Sequence, residues 1–213
     1  MDFESLSAEF HKRLDEKMSA REAALPAARQ AIRASANAIR AIHRGEGGEA
    51  TRLLDEARAA LDRGEKAVVD HPDVRWAGFL HDAQKEYAEA RLTRAVVDGD
   101  GLPSPDDLRV TVAAYLNGLA ETIGELRRSV LDLLREGEVA RAEELLGMMD
   151  EMYYLLVTID YPDAITGNLR RWTDVARGII EKTRGDLTTS LVQRDLREAL
   201  ERHAGDLETP PAG

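Results

Sequence analysis

The sequence predicts an all-α protein folded as a single domain over residues 1–213. Apolar residues recur at intervals of three and four over most of the chain, as they do on one face of an α-helix. No segment shows the alternation with a period of two that is typical of strands. No stretch rich in Gly, Ser or Pro is long enough to separate two domains, and 213 residues suit one hydrophobic core.

Glycine and proline delimit the first three helices. Apolar residues at helical spacing over residues 3–14 predict a first helix. It leads into a long second helix that ends at the glycine-rich stretch 45–48. A third helix is predicted to stop before His71, because the residue preceding a proline disfavours the helical conformation.

The middle of the chain predicts two more helices joined by a loop. Asp73 is expected to cap a fourth helix whose apolar face carries Trp76, Ala83 and Tyr87. Residues 98–105 contain Gly, Pro, Asp and Ser and are predicted to form a loop. A long apolar stripe over residues 108–130 then predicts the fifth helix.

The C-terminal part of the chain completes a bundle of seven main helices. Residues 135–138 are predicted to turn the chain into a sixth helix, which ends at Pro162. A seventh helix begins at Asp163, and a short amphipathic helix follows over residues 187–203. Residues 205–213 are expected to fray.

Composition and charge exclude several classes of protein. Without cysteine, the chain has no disulfide, zinc–thiolate site or cysteine nucleophile. Its net charge of −11 repels phosphates, so nucleic-acid binding would need local arginines or metal ions. No apolar run approaches the roughly 18 residues of a membrane helix, and no basic-then-apolar leader opens the chain. The sequence therefore predicts a cytoplasmic protein that binds no membrane.

Acidic residues cluster on two predicted helices. Glu86 lies about 60° from the apolar centre of the fourth helix, and Glu89 falls on the same flank. An ionised carboxylate there is costly unless a partner neutralises it. Glu121 and Glu125 stand one turn apart on the fifth helix, on the face opposite its apolar stripe.

Two glycines, Gly118 and Gly124, flank the acids of the fifth helix. Glycine inside a helix costs about 1 kcal/mol relative to alanine. It therefore indicates a position where a backbone or a ligand approaches closely.

Together, the four glutamates could converge on a hard cation such as Mg²⁺ or Mn²⁺, which take oxygen ligands. In a chain with 32% charged residues, the alternative is that these acids simply form solvated helix faces. A di-iron bundle is less consistent with the sequence, because no histidine follows a glutamate at the Glu-x-x-His spacing.

The paired acidic motifs resemble the translin family. The motifs are Glu86-Tyr-Ala-Glu-Ala90 and Tyr115-Leu-Asn-Gly-Leu-Ala-Glu-Thr-Ile-Gly-Glu-Leu126, with support from Ile42-His-Arg44 and Tyr161-Pro162. The similarity runs from the second helix to Gly185, and the closer match is to the Trax (translin-associated factor X) branch.

The resemblance implies a seven-helix fold assembled into a closed shell, a homo-octamer, in which Trax-type subunits are Mg²⁺-dependent endoribonucleases acting on single-stranded RNA. Carried over by position, Glu86, Glu89 and Glu121 are the catalytic residues, and Glu89 and Glu125 are the metal ligands. Glu121 stands where the family usually has aspartate. Mn²⁺ is the alternative ion, and DNA is a second nucleic acid to consider.

Basic residues beside these motifs are candidates for binding nucleic acid. They are Arg91, Arg94, Arg128, His43 and Arg44. The alternative for the arginines is pairing with neighbouring acids on exposed helix faces. His43 would otherwise complement the dipole at the end of its helix.

Three functions remain open at this point. The first is the endoribonuclease, and the second is a non-catalytic single-stranded nucleic-acid-binding oligomer of the translin type. The third is a helical interaction protein whose acids are only solvated. The glutamate set favours the first over the second, because a binder gains nothing from acids that face phosphate.

Overall fold

The computed structural model describes residues 2–208, which form nine helices without a strand, confirming the all-α, single-domain prediction. Six helices are long and three span a single turn. Their bounds are α1 Phe3–His43, α2 Gly47–Ala67, α3 Pro72–Arg75, α4 Phe79–Asp98, α5 Pro105–Leu108, α6 Val112–Glu136, α7 Val139–Val157, α8 Asp163–Thr166 and α9 Leu169–Glu208.

The two longest helices each join segments that the sequence divided. α1 runs unbroken through 41 residues, including Pro26, and unites the predicted first and second helices. Proline removes one backbone hydrogen bond, but an alanine-rich face on both sides of Pro26 is buried in the core and keeps the helix continuous. α9 likewise joins most of the predicted seventh helix to the tail helix. It extends to Glu208, and residues 209–213 of the tail expected to fray lie outside the described residues.

The predicted start of the fourth helix was wrong. Asp73 lies inside the short helix α3, and α4 begins only at Phe79, after Gly78 with φ of 97°. Trp76 therefore does not lie on the buried face of α4, and 69% of its surface is exposed. The positive φ of Gly78 reorients the chain, and no apolar periodicity reveals such a break.

The predicted fifth helix is also divided. The one-turn helix α5 opens with a capping box between Ser104 and Asp107, and α6 starts at a separate cap on Thr111. α4 packs against α1, α2 and α6, while α6 also packs against α7, α8 and α9. The pair α4–α6 therefore occupies the centre of the bundle. No helix of the described part is long and apolar enough to cross a membrane.

Candidate metal centre

α4 and α6 approach each other closely where Gly118 faces α4. A Cβ atom on Gly118 would lie 2.8 Å from the carbonyl oxygen of Lys85 and 2.9 Å from the backbone nitrogen of Glu89. Only glycine fits at this distance, which bears out the expectation of a close approach. Gly124 has no such role, because its Cβ would make only an ordinary contact of 3.8 Å with Ile179.

The close crossing brings three of the predicted glutamates together. Glu86 and Glu89 on α4 and Glu121 on α6 each offer a carboxylate oxygen within 4.8 Å of the other two. Glu89 is the deepest, with 8% of its surface exposed, whereas Glu86 and Glu121 are partly exposed. We call these three residues the acidic triad.

The side-chain ammonium group of Lys85 contacts two members of the acidic triad. Its ammonium group lies 2.7 Å from both carboxylate oxygens of Glu121 and 3.2 Å from Oε1 of Glu86. The same nitrogen sits 5.1 Å from the centre of the Trp172 ring on α9, within range of a cation–π interaction. Burial would lower the pKa of Lys85, but Glu121 and Glu86 outweigh it and raise the pKa. Sequence reasoning missed Lys85, although a lysine beside Glu86 in an arginine-rich chain was a visible signal.

The buried position of Glu89 changes its ionisation. Burial first, and then the negative charges of Glu121, Glu86 and Glu125, raise the pKa of Glu89 to about 9. Burial also raises the pKa of Glu121, although the hydrogen bond from Lys85 opposes that effect. At neutral pH, the carboxyl group of Glu89 therefore carries a proton unless a cation binds next to it.

This ionisation predicts how stability depends on pH in EDTA. The pKa of Glu89 is above its unfolded value of 4.5, so its stabilising proton is fully retained below that value and lost as pH rises through about 9. Between pH 7 and 9 the free energy of unfolding should fall, by at most about 1.4 kcal/mol per pH unit for one proton. Burial lowers the pKa of His81 from its usual 6.5, so its contribution makes stability rise with pH, mainly below this window.

Urea denaturation at several pH values measures this slope. Glu89→Gln should flatten it, whereas Asp82→Asn, which changes an exposed acid of α4, should leave it in place. An unchanged slope in the Glu89 variant would contradict the assignment.

Glu125, the fourth predicted glutamate, lies outside the acidic triad. Its Oε2 is 2.5 Å from Nε2 of His43, whose side chain is only 3% exposed. Glu125 is still close enough to Glu89 to raise its pKa. His43 thus contacts an acidic residue beside the triad, and its ring is covered by protein.

The acidic triad fits a hard divalent ion. All its donors are carboxylate oxygens, the ligand type of Mg²⁺ and Mn²⁺. One carboxylate oxygen of each residue lies within 4.8 Å of the other two, so rotations of these side chains could gather the three oxygens around one ion. A divalent charge would also stabilise the ionised form of Glu89.

The predicted nucleic-acid-binding arginines differ in how they are held. Arg94 bonds Asp98 and donates to the carbonyl of Gly47, and Arg44 pairs with Glu46. Arg91 lies over the ring of Tyr87. Arg128 is exposed on α6. Intramolecular pairing therefore occupies two of the four arginines.

The chain is similar in sequence and in fold to known proteins. No protein-family model matches it. It is 33% identical over 192 residues to the uncharacterized protein MJ0175 of Methanocaldococcus jannaschii, covering 89% of this chain and 84% of that protein. It is 36% identical to the solved structure of AfC3PO, with a TM-score of 0.80, covering 88% of this chain and 97% of that one.

A complex of AfC3PO with duplex RNA gives a TM-score of 0.81 at the same identity and coverage. C3PO is the translin–Trax complex. The chain belongs to the translin family. A structure of apo-NeC3PO, at 20% identity and a TM-score of 0.74, shows the same translin fold. The resemblance seen in the motifs is thus confirmed at the level of the translin family.

Proposed function

We propose that this translin-family protein is a metal-dependent endoribonuclease of the Trax type. The observation that carries the proposal is the convergence of Glu86, Glu89 and Glu121 at the crossing of α4 and α6. Its RNA substrate is supported by the 36% identical AfC3PO, which was solved with duplex RNA. Single-stranded RNA is the proposed substrate for cleavage, and duplex RNA is the natural comparison.

We assign a different role to each residue of the triad according to how deeply its carboxylate is buried. Glu89, the deepest, and Glu121 would hold Mg²⁺ or Mn²⁺, with Glu125 beside them. The bound ion would neutralise a phosphate oxygen and lower the pKa of a water molecule. Glu86 has the most exposed carboxylate of the triad and the longer contact with Lys85, so it is the group best placed to accept a proton from water.

RNA would reach the site past basic residues of the same helices. Arg91 follows Glu89 by two positions on α4, and Arg128 is exposed on α6. These are the predicted arginines that no described carboxylate pairs with at 4 Å or less. Both are proposed phosphate contacts. Arg94, Arg44 and His43 remain candidates whose present partners would have to be exchanged.

A second candidate function is RNA binding without cleavage. The ammonium group of Lys85 already neutralises part of the triad, so the acids are accommodated without a metal ion. Incubation of purified protein with fluorescent single-stranded and duplex RNA, in Mg²⁺ and in EDTA, separates the two functions. Cleavage that EDTA abolishes supports the nuclease; binding without cleavage in Mg²⁺ supports the second candidate.

We also propose that the chain assembles with copies of itself into a closed shell, for which eight copies is the expected number. The supporting feature is an exposed apolar stripe on the N-terminal half of α1, formed by Phe3, Phe10, Leu14 and Met18. A similar stripe on α9 comprises Val192, Leu196 and Leu200. Apolar surface arranged this way favours contacts between subunits.

Charge introduced into the α1 stripe should therefore reduce the subunit number. We expect Phe10→Glu combined with Leu14→Glu to lower the mass measured by native mass spectrometry, because two carboxylates would have to be desolvated in each contact. Lys12→Glu, on the opposite face of α1, is the matched control. A double variant with the wild-type mass would rule out this stripe as a subunit contact.

A further inference from the structure

Lys85 occupies the volume in which a cation would bind the triad. Its ammonium nitrogen contacts Glu121 at 2.7 Å and Glu86 at 3.2 Å, and the lysine side chain is only 14% exposed. It thus bridges α4 and α6 at the same crossing that gathers the carboxylates.

An ammonium group and a divalent ion compete for these oxygens. Mg²⁺ binds carboxylate oxygens at 2.0–2.1 Å, so an ion held by Glu89 and Glu121 would need oxygens of Glu121 that now lie 2.7 Å from the ammonium nitrogen. Two cations at such a distance repel strongly in a partly buried site. Metal binding therefore favours movement of the lysine head group away from Glu121.

Trp172 provides a place for the displaced head group. The Trp172 ring centre is 5.1 Å from the ammonium nitrogen, on the side of α9, and indole is the best cation–π partner among the side chains. The flexible four-carbon stem of lysine allows the head group to move without a change in the backbone.

We propose that Lys85 is a resident counter-ion that exchanges with the metal ion: it neutralises Glu86 and Glu121 in the metal-free protein and withdraws over Trp172 when a divalent ion binds. This inference rests on the metal site of the proposed function. It makes Lys85 a positioning residue that sets metal affinity, and it explains how three acids are tolerated at one helix crossing without an ion.

The first test measures Mn²⁺ affinity, using electron paramagnetic resonance to count free Mn²⁺. Lys85→Met and Lys85→Gln should bind Mn²⁺ at least about tenfold more tightly than wild type, because the competing charge is gone. Lys85→Arg, which keeps the charge, should stay closer to wild type. Lys182→Met removes an exposed lysine of α9 and is the control for net charge, with unchanged affinity expected.

The second test follows Trp172 directly. The chain has two tryptophans, so Trp76→Phe leaves Trp172 as the single fluorophore. Saturating Mg²⁺ should change its emission in the Trp76→Phe protein, because the distance between ring and ammonium changes. Adding Lys85→Met to the same background should abolish that response.

The two tests distinguish failure of this inference from failure of the metal site. Wild-type protein that binds no Mn²⁺ would overturn the metal site and with it the exchange. Wild-type protein that binds Mn²⁺, with Lys85→Met and Lys85→Gln binding equally or more weakly, would overturn the exchange alone. Weaker Mn²⁺ binding by both variants would instead make Lys85 a supporting group of the metal site.

Discussion

Replacing Glu89 by glutamine is expected to abolish metal-dependent RNA cleavage, with a loss of at least about a hundredfold. Glu89 is the deepest member of the triad, and its carboxylate is the one whose ionisation depends most on an added positive charge. A metal ion contributes several kcal/mol to such a reaction, and each 1.36 kcal/mol is a factor of ten in rate. The measurement is the single-turnover rate on a fluorescent single-stranded RNA in Mg²⁺.

The same variant should leave the metal-free fold intact. Glutamine matches the shape of the protonated carboxyl group that Glu89 carries at neutral pH, so no uncompensated charge is introduced. In EDTA at pH 8 the variant should therefore be at least as stable as wild type, and its native mass should be unchanged.

Asp82→Asn is the matched control for Glu89→Gln, because it neutralises an exposed acid on the same helix outside the triad. It should cleave within a few-fold of wild type. Full activity in Glu89→Gln would remove Glu89 from the mechanism. Equal losses in both variants would show that net charge, and not the triad, controls the rate.

The proximity of Glu86, Glu89 and Glu121 could be anticipated from sequence where it depended on local spacing. Glu86 and Glu89 are one turn apart on any helix, and the glycine at 118 indicated that another backbone comes close. The three-residue convergence follows from these two facts once α4 and α6 are neighbours. The depth of Glu89 did not follow, because angles on one helix do not say which flank the next helix covers.

Lys85 shows why the remainder of the site could not be predicted. Its ammonium group reaches Glu121, 36 positions away, and Trp172 on a third helix. Such a contact depends on how three helices pack together. The spacing of residues in one sequence does not predict that packing. His43 illustrates the same limit: its position at the end of α1 suggested the helix dipole or RNA, but the fold places it against Glu125.

The predicted helix boundaries were wrong for a different reason. The sequence divides residues 3–42 into two helices, yet the buried alanines on both sides of Pro26 stabilise one continuous helix of 41 residues. Conversely, the break before Phe79 is made by the backbone conformation of Gly78, which leaves no trace in apolar spacing. Tertiary packing decided the first case and local geometry the second.

Adding one methyl group at position 118 is expected to separate α4 from α6. In Gly118→Ala, the new carbon would lie 2.8 Å from the Lys85 carbonyl, 2.9 Å from the Glu89 nitrogen and 3.0 Å from the Cβ of Ala88. None of these is the end of a flexible side chain, so the helices themselves must move. Overpacking of this kind typically costs about 1–3 kcal/mol.

The shift should also weaken the metal site, because the backbone atoms that clash belong to the helix segment that carries Glu86 and Glu89. Urea denaturation and Mn²⁺ titration of Gly118→Ala should therefore report lower stability and lower affinity together. Gly124→Ala is the matched control on the same helix. Its new carbon meets only Ile179 at 3.8 Å, so alanine should raise stability by about 0.5–1 kcal/mol through its better helix propensity.

Opposite signs for the two alanine substitutions would tie metal affinity to the distance between α4 and α6. Loss of Mn²⁺ affinity in both variants would mean that glycine serves helix flexibility and not close approach. Unchanged stability and affinity in Gly118→Ala would contradict the crossing geometry itself. The acidic triad depends on that geometry, since Glu121 reaches the other two glutamates only across this contact.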